Sequence, residues 1–157
     1  MVMRSERKKQ KRTKPDWYYH QIAVIPFRLK NNQTEILLIT SIRKKKWIFP
    51  KGIVEKNNSP TESAANEAHE EAGVKGTVLT DLIGSYTVSK WGGVCNVQVY
   101  PMEVAKEHSN WPEDHVRERN WCSIDDALKC VSDIHLLRII RQFESWFERY
   151  KKPLRKQ

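Results

Sequence analysis

The segment Ser59–Gly73, SPTESAANEAHEEAG, does most to narrow the folds open to this 157-residue chain. Ser59-Pro60-Thr61-Glu62 combines an N-cap serine, a proline at the first helical position and a glutamate three residues after the cap. In that arrangement serine and glutamate satisfy amide donors that the first turn leaves unpaired. Gly73 supplies the stop, because glycine takes the left-handed conformation that ends many helices. The predicted helix runs from about Pro60 to Ala72. Ala64, Ala65, Ala68 and Ala72 fall on one stripe, the spacing of a helix pressed closely onto a sheet.

The same helix carries Glu67, Glu70 and Glu71 at i, i+3 and i+4, so the three carboxylates project from a common face. Like charges at that spacing repel by ~0.2–0.5 kcal/mol per exposed pair, and by more when partly buried. A solvated acidic surface is the plain reading of such a cluster. The upstream segment favours another. A strand-like KWIFP (Lys46–Pro50) leads to Lys51-Gly52 and a loop of about eight residues before the cap. Strand, glycine loop and carboxylate helix together make a cup of hard oxygen ligands, suited to Mg²⁺ or Mn²⁺. A bound cation relieves the repulsion.

The rest of the chain alternates sheet and helix. His20–Leu29 and Glu35–Thr40 read as strands joined by a turn at Asn31-Asn32. Gly76–Val88 and Val94–Val104 read as two long strands joined by SKWGG. Ser123-Ile124-Asp125-Asp126 begins a short helix. Asp133–Tyr150 is an amphipathic terminal helix whose Leu136, Leu137, Ile140, Phe143, Trp146 and Phe147 form a stripe, read as core packing with a dimer face as the alternative. The length suits one domain with its own core, and the 39% hydrophobic content includes no run approaching a membrane span. Cys95, Cys122 and Cys130 form neither a disulfide framework nor a zinc pattern. No apolar segment follows the basic N-terminus at signal-peptide distance, so the expected setting is the cytoplasm.

Charge is uneven. Residues 1–14 hold seven Lys/Arg and one Glu, a net of +6, and residues 149–157 hold five Lys/Arg and no acid. Against a total of +9, the remaining chain carries −2. The chain divides accordingly into a basic, disordered tail (1–15), a folded domain (16–149) and a basic C-terminal tail (150–157). The tails read as solubilising ends, with contact to RNA or another polyanion as the functional alternative.

The carboxylate segment resembles the Nudix hydrolases, whose signature is G-x5-E-x7-R-E-U-x-E-E-x-G-U, U being a bulky aliphatic residue. Gly52 takes the first position, Asn66-Glu67 the R-E pair, Glu70-Glu71 the E-E pair and Gly73-Val74 the end. Asn58 and Asn66 stand where the pattern has glutamate and arginine, and Ala68 where it has a bulky residue. The resemblance extends over about Trp17 to Tyr150 and implies an α/β/α sandwich, an α/β (α+β) fold with a mixed sheet between helices.

It also implies a chemistry: divalent-metal-dependent attack of water at phosphorus in a pyrophosphate linkage. By resemblance Glu67 and Glu71 are the metal ligands, with the backbone carbonyl of Lys51 or Gly52 as a third. Glu70 is the proton acceptor, with Glu103 and Glu118 in reserve. Arg43, Lys51, Arg117 and Arg119 are the candidate phosphate-binding residues, arginine being suited to gripping phosphate through parallel hydrogen bonds. The two asparagines allow two readings: a neutral hydrogen bond replacing an ion pair, with activity retained, or a lost metal ligand with activity weakened. The implied substrate is a phosphorylated small molecule, of the diadenosine polyphosphate or diphosphoinositol polyphosphate type. RNA 5′-pyrophosphohydrolysis and a catalytically weak polyanion-binding module are the alternatives, and either a monomer or a homodimer is compatible. Trp91 reads equally as a base-stacking residue or a core shield.

Overall fold

Strand β1 (His20–Lys30) is apolar on both sides: Ile22 and Val24 face one layer while Ala23, Ile25 and Phe27 face the other. A strand of that kind has to be covered on both faces. The computed structural model of the chain describes residues 11–155, with side chains through Lys151, and shows how the cover is built. The expected tail over residues 1–10 lies outside the described residues. Residues 11–15 lie against the hairpin at Trp91, where Thr13 N donates to the Trp91 carbonyl at 3.0 Å.

Asn31 and Asn32, both left-handed (φ 53° and 63°), turn β1 into β2 (Gln33–Thr40) as a two-residue hairpin. On its other edge β1 pairs in parallel with β7 (Gly93–Glu107), His20–Phe27 against Asn96–Glu103. The other pairings are antiparallel, giving a mixed eight-stranded sheet. The strand expected over KWIFP is only β3 (Trp47–Ile48), and a second short strand, β4 (Lys51–Ile53), stands where the glycine loop was expected to begin. They fill a split in the sheet. β1 pairs with β2 only over Phe27–Lys30 and with β4 over Gln21–Ala23, while the far end of β2, Ile39-Thr40, pairs with β3.

The strand expected over Gly76–Val88 is also two, β5 (Val74–Val78) and β6 (Gly84–Lys90), each paired with a different half of β7. The change falls at Pro101, which has no N–H to contribute to a continuous ladder. Instead its carbonyl accepts from Leu79 N, and Ile83 N bonds the Val99 carbonyl. β8 (Arg119–Ser123) closes the outer edge of β2.

On one face lies α1 (Pro60–Glu67), with Ala64, Ala68 and Ala72 fully buried against Ile22, Val24, Leu37 and Ile39. On the other lie α2 (Ile124–Cys130) and α3 (Ile134–Arg155). Asp133 caps α3, its Oδ1 accepting from His135 N at 2.8 Å. The α3 stripe belongs to the core: Leu136, Ile140, Phe143, Trp146 and Phe147 are buried and Leu137 partly so. Phe143 alone, at 0% exposure, contributes roughly 1.5–3 kcal/mol by leaving water. The helix continues past Tyr150 to Arg155, so the basic C-terminal segment begins as helix. Helices on both faces of a mixed sheet are the architecture the sequence implied.

Candidate active site

Ser59 Oγ accepts from Glu62 N at 3.2 Å, and Gly73 (φ 68°) terminates the helix; of the reciprocal capping pair the serine half is made. The last turn departs from expectation. After Glu67 the chain continues through Ala68–Ala72 as a single π turn, a widening common at functional positions. The end of a helix leaves carbonyls without intrahelical donors. Here the loop between β7 and β8, together with the first residue of β8, supplies them. Glu113 N bonds the Glu70 carbonyl (3.1 Å), Trp111 Nε1 the Glu71 carbonyl (3.1 Å), Arg119 Nη1 the Ala72 carbonyl (2.9 Å) and His108 N the Gly73 carbonyl (2.8 Å). The carboxylate-bearing turn is therefore bolted to that loop.

Glu71 is buried and Glu67 half-buried, and the two share a hydrogen bond. Burial raises the pKa of Glu67 well above the carboxylate range, and the Glu71 charge raises it further. Burial also raises Glu71, opposed by the nearby Arg117 guanidinium and by the Lys51 amide, which donates to Glu71 Oε1 at 3.2 Å. Glu67 lies against the bare Cα of Gly52, where any side chain would collide with it. Loop and helix thus place two carboxylates on the backbone of β4, inside the split of the sheet.

These residues fit a hard divalent cation. Two carboxylates withdrawn from water and set against each other supply the hard anionic oxygens such an ion takes. Among the described residues no three His, Cys, Asp or Glu side chains form a cation site by themselves.

The remaining predicted residues are only partly brought together. Glu70 is on the same turn and exposed. Lys51 projects from β4 with its charge disfavoured by burial and then by Lys90. Arg43 stands exposed in the turn before β3. Arg117 sits next to Glu71 (Nη2 to Oε2, 3.5 Å), but its other donors go to Glu113 Oε1 (2.8 Å) and the Thr40 carbonyl (3.0 Å). With 10% of its side chain exposed it braces Glu71, where the sequence reading had it reaching for phosphate. Arg119 is committed too: it bonds the Ala72 and His108 carbonyls, pairs with Glu107 (3.2 Å) and lies 3.9 Å from the Trp111 ring centre.

Glu103, held in reserve as a base, is on the wrong face. It pairs with Phe27 across β7 and β1, on the α3 side, and accepts from Tyr150 at 2.8 Å. Glu118 is exposed and lines a cleft of about 500 Å³ with Thr40, Lys45, Trp47 and His115. Asn58 and Asn66 form no hydrogen bond with each other among the described residues, and Asn66 is exposed. The neutral replacement bond is therefore not made. Sequence reading missed Glu113, whose charge acts on both Glu67 and Glu71. Its only signal was the loop position between β7 and β8.

Comparison with known proteins agrees with this geometry. The family model described as NUDIX domain matches residues 19–143. The chain is 33% identical over 123 residues to Nudix hydrolase 16, mitochondrial, of Arabidopsis thaliana, covering 67% of this chain and 68% of that one. Across the plant relatives of this kind it spans 54% to 68% of their length. It is 33% identical over 128 residues to diphosphoinositol polyphosphate phosphohydrolase 3-beta of Bos taurus, covering 77% of this chain and 76% of the relative. In fold it is similar to the crystal structure of C. elegans Ap4A hydrolase, with a TM-score of 0.67 at 20% identity over 82% of this chain and 97% of that one.

Proposed function

The chain belongs to the Nudix hydrolase family, and from that premise we propose that it hydrolyses a pyrophosphate bond in a nucleoside or inositol polyphosphate with the help of Mg²⁺ or Mn²⁺. The observation that carries this reading is the Glu67–Glu71 pair, partly withdrawn from water and seated on the Gly52 backbone. A pair that has to share a proton in a metal-free site gives it up to a cation, and so binding and ionisation are linked. The cation, when bound, neutralises charge building on the phosphate oxygens and acidifies a coordinated water.

The chain's own groups do the rest. Glu67 and Glu71 hold the site, with backbone oxygen of Lys51 or Gly52 completing it. Arg117, fixed by Glu113 and Thr40, keeps Glu71 oriented and favours its charged form. Glu70, exposed one helical step from both carboxylates, takes the proton of the attacking water. Lys51 and Arg43 are the cations free to meet phosphate. A diphosphoinositol polyphosphate or a dinucleoside polyphosphate is the substrate class that the names of the similar proteins favour. Cytoplasmic placement belongs to the proposal as well, although five of the plant relatives bear mitochondrial names and another a chloroplastic one. Among the described residues no helix is long and apolar enough to cross a membrane.

A second reading rests on Asn58 and Asn66: with the motif glutamate and arginine gone and no bond between their replacements, the chain is a weak catalyst that binds polyanions. A phosphate-release screen with Mg²⁺ and Mn²⁺ separates the two. It takes diadenosine polyphosphates, ADP-ribose, nucleoside triphosphates, 5′-triphosphorylated RNA and inositol pyrophosphates. Turnover lost in EDTA supports the hydrolase. Binding without turnover on every substrate supports the module.

A further inference from the structure

One cluster is left unused by the carboxylate site. The residues before β1 and the tip of the β6–β7 hairpin bring Trp17, Tyr18 and Trp91 together: Trp17 and Tyr18 have ring centres 4.4 Å apart, Tyr18 and Trp91 5.5 Å. All three are half-buried. Each also has a lysine near its ring: Lys56 is 5.7 Å from Trp17, Lys14 5.6 Å from Tyr18 and Lys90 4.3 Å from Trp91. The arrangement is fixed by bonds to the hairpin's backbone. The Trp91 carbonyl accepts from Tyr19 Oη at 2.5 Å and from Thr13 N at 3.0 Å, and any side chain at Gly92 (φ 71°) would strike the Lys11 carbonyl. The hairpin and the N-terminal segment are thus shaped to fit one another.

Aromatic rings interleaved with flexible cations are how proteins hold unpaired bases, the ring stacking on the base and the cation meeting the phosphate beside it. The location fits as well. Trp17 and Tyr18 lie on a short 3₁₀ turn, Asp16–Tyr19, that leads directly into β1 at His20, and two residues further on Ile22 pairs with Gly52. Lys90, beside Trp91 in the hairpin, is close enough for its charge to act on Lys51, the neighbour of Gly52.

We propose that Trp17, Tyr18 and Trp91, with Lys14, Lys56 and Lys90, form a platform for a nucleobase carried on a phosphate chain whose phosphates run toward Gly52. This deepens the proposed function and rests on it for where the phosphates end, selecting nucleoside-bearing over inositol polyphosphates. The shared chemistry has two sources: the 5′ end of an RNA, or a dinucleoside polyphosphate.

The test measures binding of the full chain in EDTA, so that it does not depend on turnover. The probes are a labelled single-stranded RNA oligonucleotide by anisotropy, with diadenosine tetraphosphate and inositol hexakisphosphate by calorimetry. Trp17→Leu and Trp91→Leu are compared with the unaltered protein after circular dichroism shows the fold retained; Tyr18→Leu replaces either variant that fails to fold. Each is expected to weaken binding of the base-bearing ligands by roughly 5- to 150-fold, the effect of removing one base–aromatic stack. Inositol hexakisphosphate binding stays within about twofold. Tighter binding of the oligonucleotide assigns the platform to RNA, and tighter binding of the dinucleotide to dinucleoside polyphosphates. Unchanged affinity for both base-bearing ligands, or equal loss for inositol hexakisphosphate, overturns the proposal while leaving the hydrolase reading intact.

Discussion

Gly52→Ala is the most revealing single change to this site. The glycine has no left-handed φ, so alanine fits the backbone without strain, and the whole effect comes from the added methyl. That methyl would lie 2.7 Å from Glu67 Cγ and nearer still to the carboxylate, against 3.4 Å for ordinary contact. Glu67 Cγ must therefore retreat by about 0.7 Å, and its carboxylate by more. A misplacement near 1 Å at a reacting centre lowers rate by ~10²-fold, about 2.7 kcal/mol in transition-state stabilisation. Stability should change far less, because the displaced group is the end of a flexible side chain. Losing its hydrogen bond to Glu71 costs about 0.5–1.5 kcal/mol, which for a chain of this size lowers Tm by roughly 1–6 °C. The assay is kcat/KM by phosphate release in saturating Mg²⁺, beside a thermal melt. A third measurement is internal: if the methyl acts only through Glu67, Gly52→Ala adds little to Glu67→Gln, because the two changes share one target. The reasoning is refuted if Gly52→Ala keeps more than about a third of wild-type kcat/KM, or if the double variant is lower than Glu67→Gln by the full ~10²-fold.

Further outcomes follow from the same geometry. Mg²⁺ or Mn²⁺ at a hundred times its Kd should stabilise the protein by ~2.7 kcal/mol in thermal melts against EDTA, and the Glu67→Gln/Glu71→Gln variant should show no such response. Glu70→Gln should lower kcat by roughly 10²–10⁴-fold with metal affinity little changed, whereas Glu71→Gln should be partly rescued by high Mn²⁺ in the same assay. In EDTA, melts across pH should show stability falling as pH rises. Glu67 and Glu71 have folded pKa values raised above their ordinary 4.5, so the folded state binds more protons, and the loss runs from that value up through the raised ones. Glu67→Gln should flatten that slope.

Local rules made much of the chain legible. The Ser59 cap, the Gly73 stop and the alanine stripe depend on neighbours within one or two turns, and each stands where the spacing put it except Ala65, which is only half-buried. The α3 stripe likewise needed only its period to be assigned to the core. What escaped was set by partners distant in sequence. The break between β5 and β6 answers to Pro101 on a strand read separately, and the division of KWIFPKGI answers to the divergence of β1 and β2. Arg117 and Arg119 looked like free cations because nothing in their own segment shows that Glu71, Thr40 and Ala72 lie within reach. The π turn was hidden for the same reason, its carbonyls being satisfied by a loop some forty residues on.

That loop also bears on the asparagines. In the family signature a glutamate and an arginine occupy positions 58 and 66, on the loop before α1 and on α1 itself. Here Asn66 is exposed and unbonded to Asn58, so no side-chain bond of that pair ties the glycine loop to the helix. The Glu67–Glu71 turn is held from its other end, by Trp111, Glu113, Arg119 and His108 on its carbonyls and by Arg117 on its carboxylate. A hydrogen bond to a carbonyl contributes about 0.5–1.5 kcal/mol net, so four of them outweigh one exposed ion pair worth up to about 1 kcal/mol. The orientation of the carboxylates therefore depends on the β7–β8 loop rather than on positions 58 and 66. Losing both motif residues is on this account compatible with a working site.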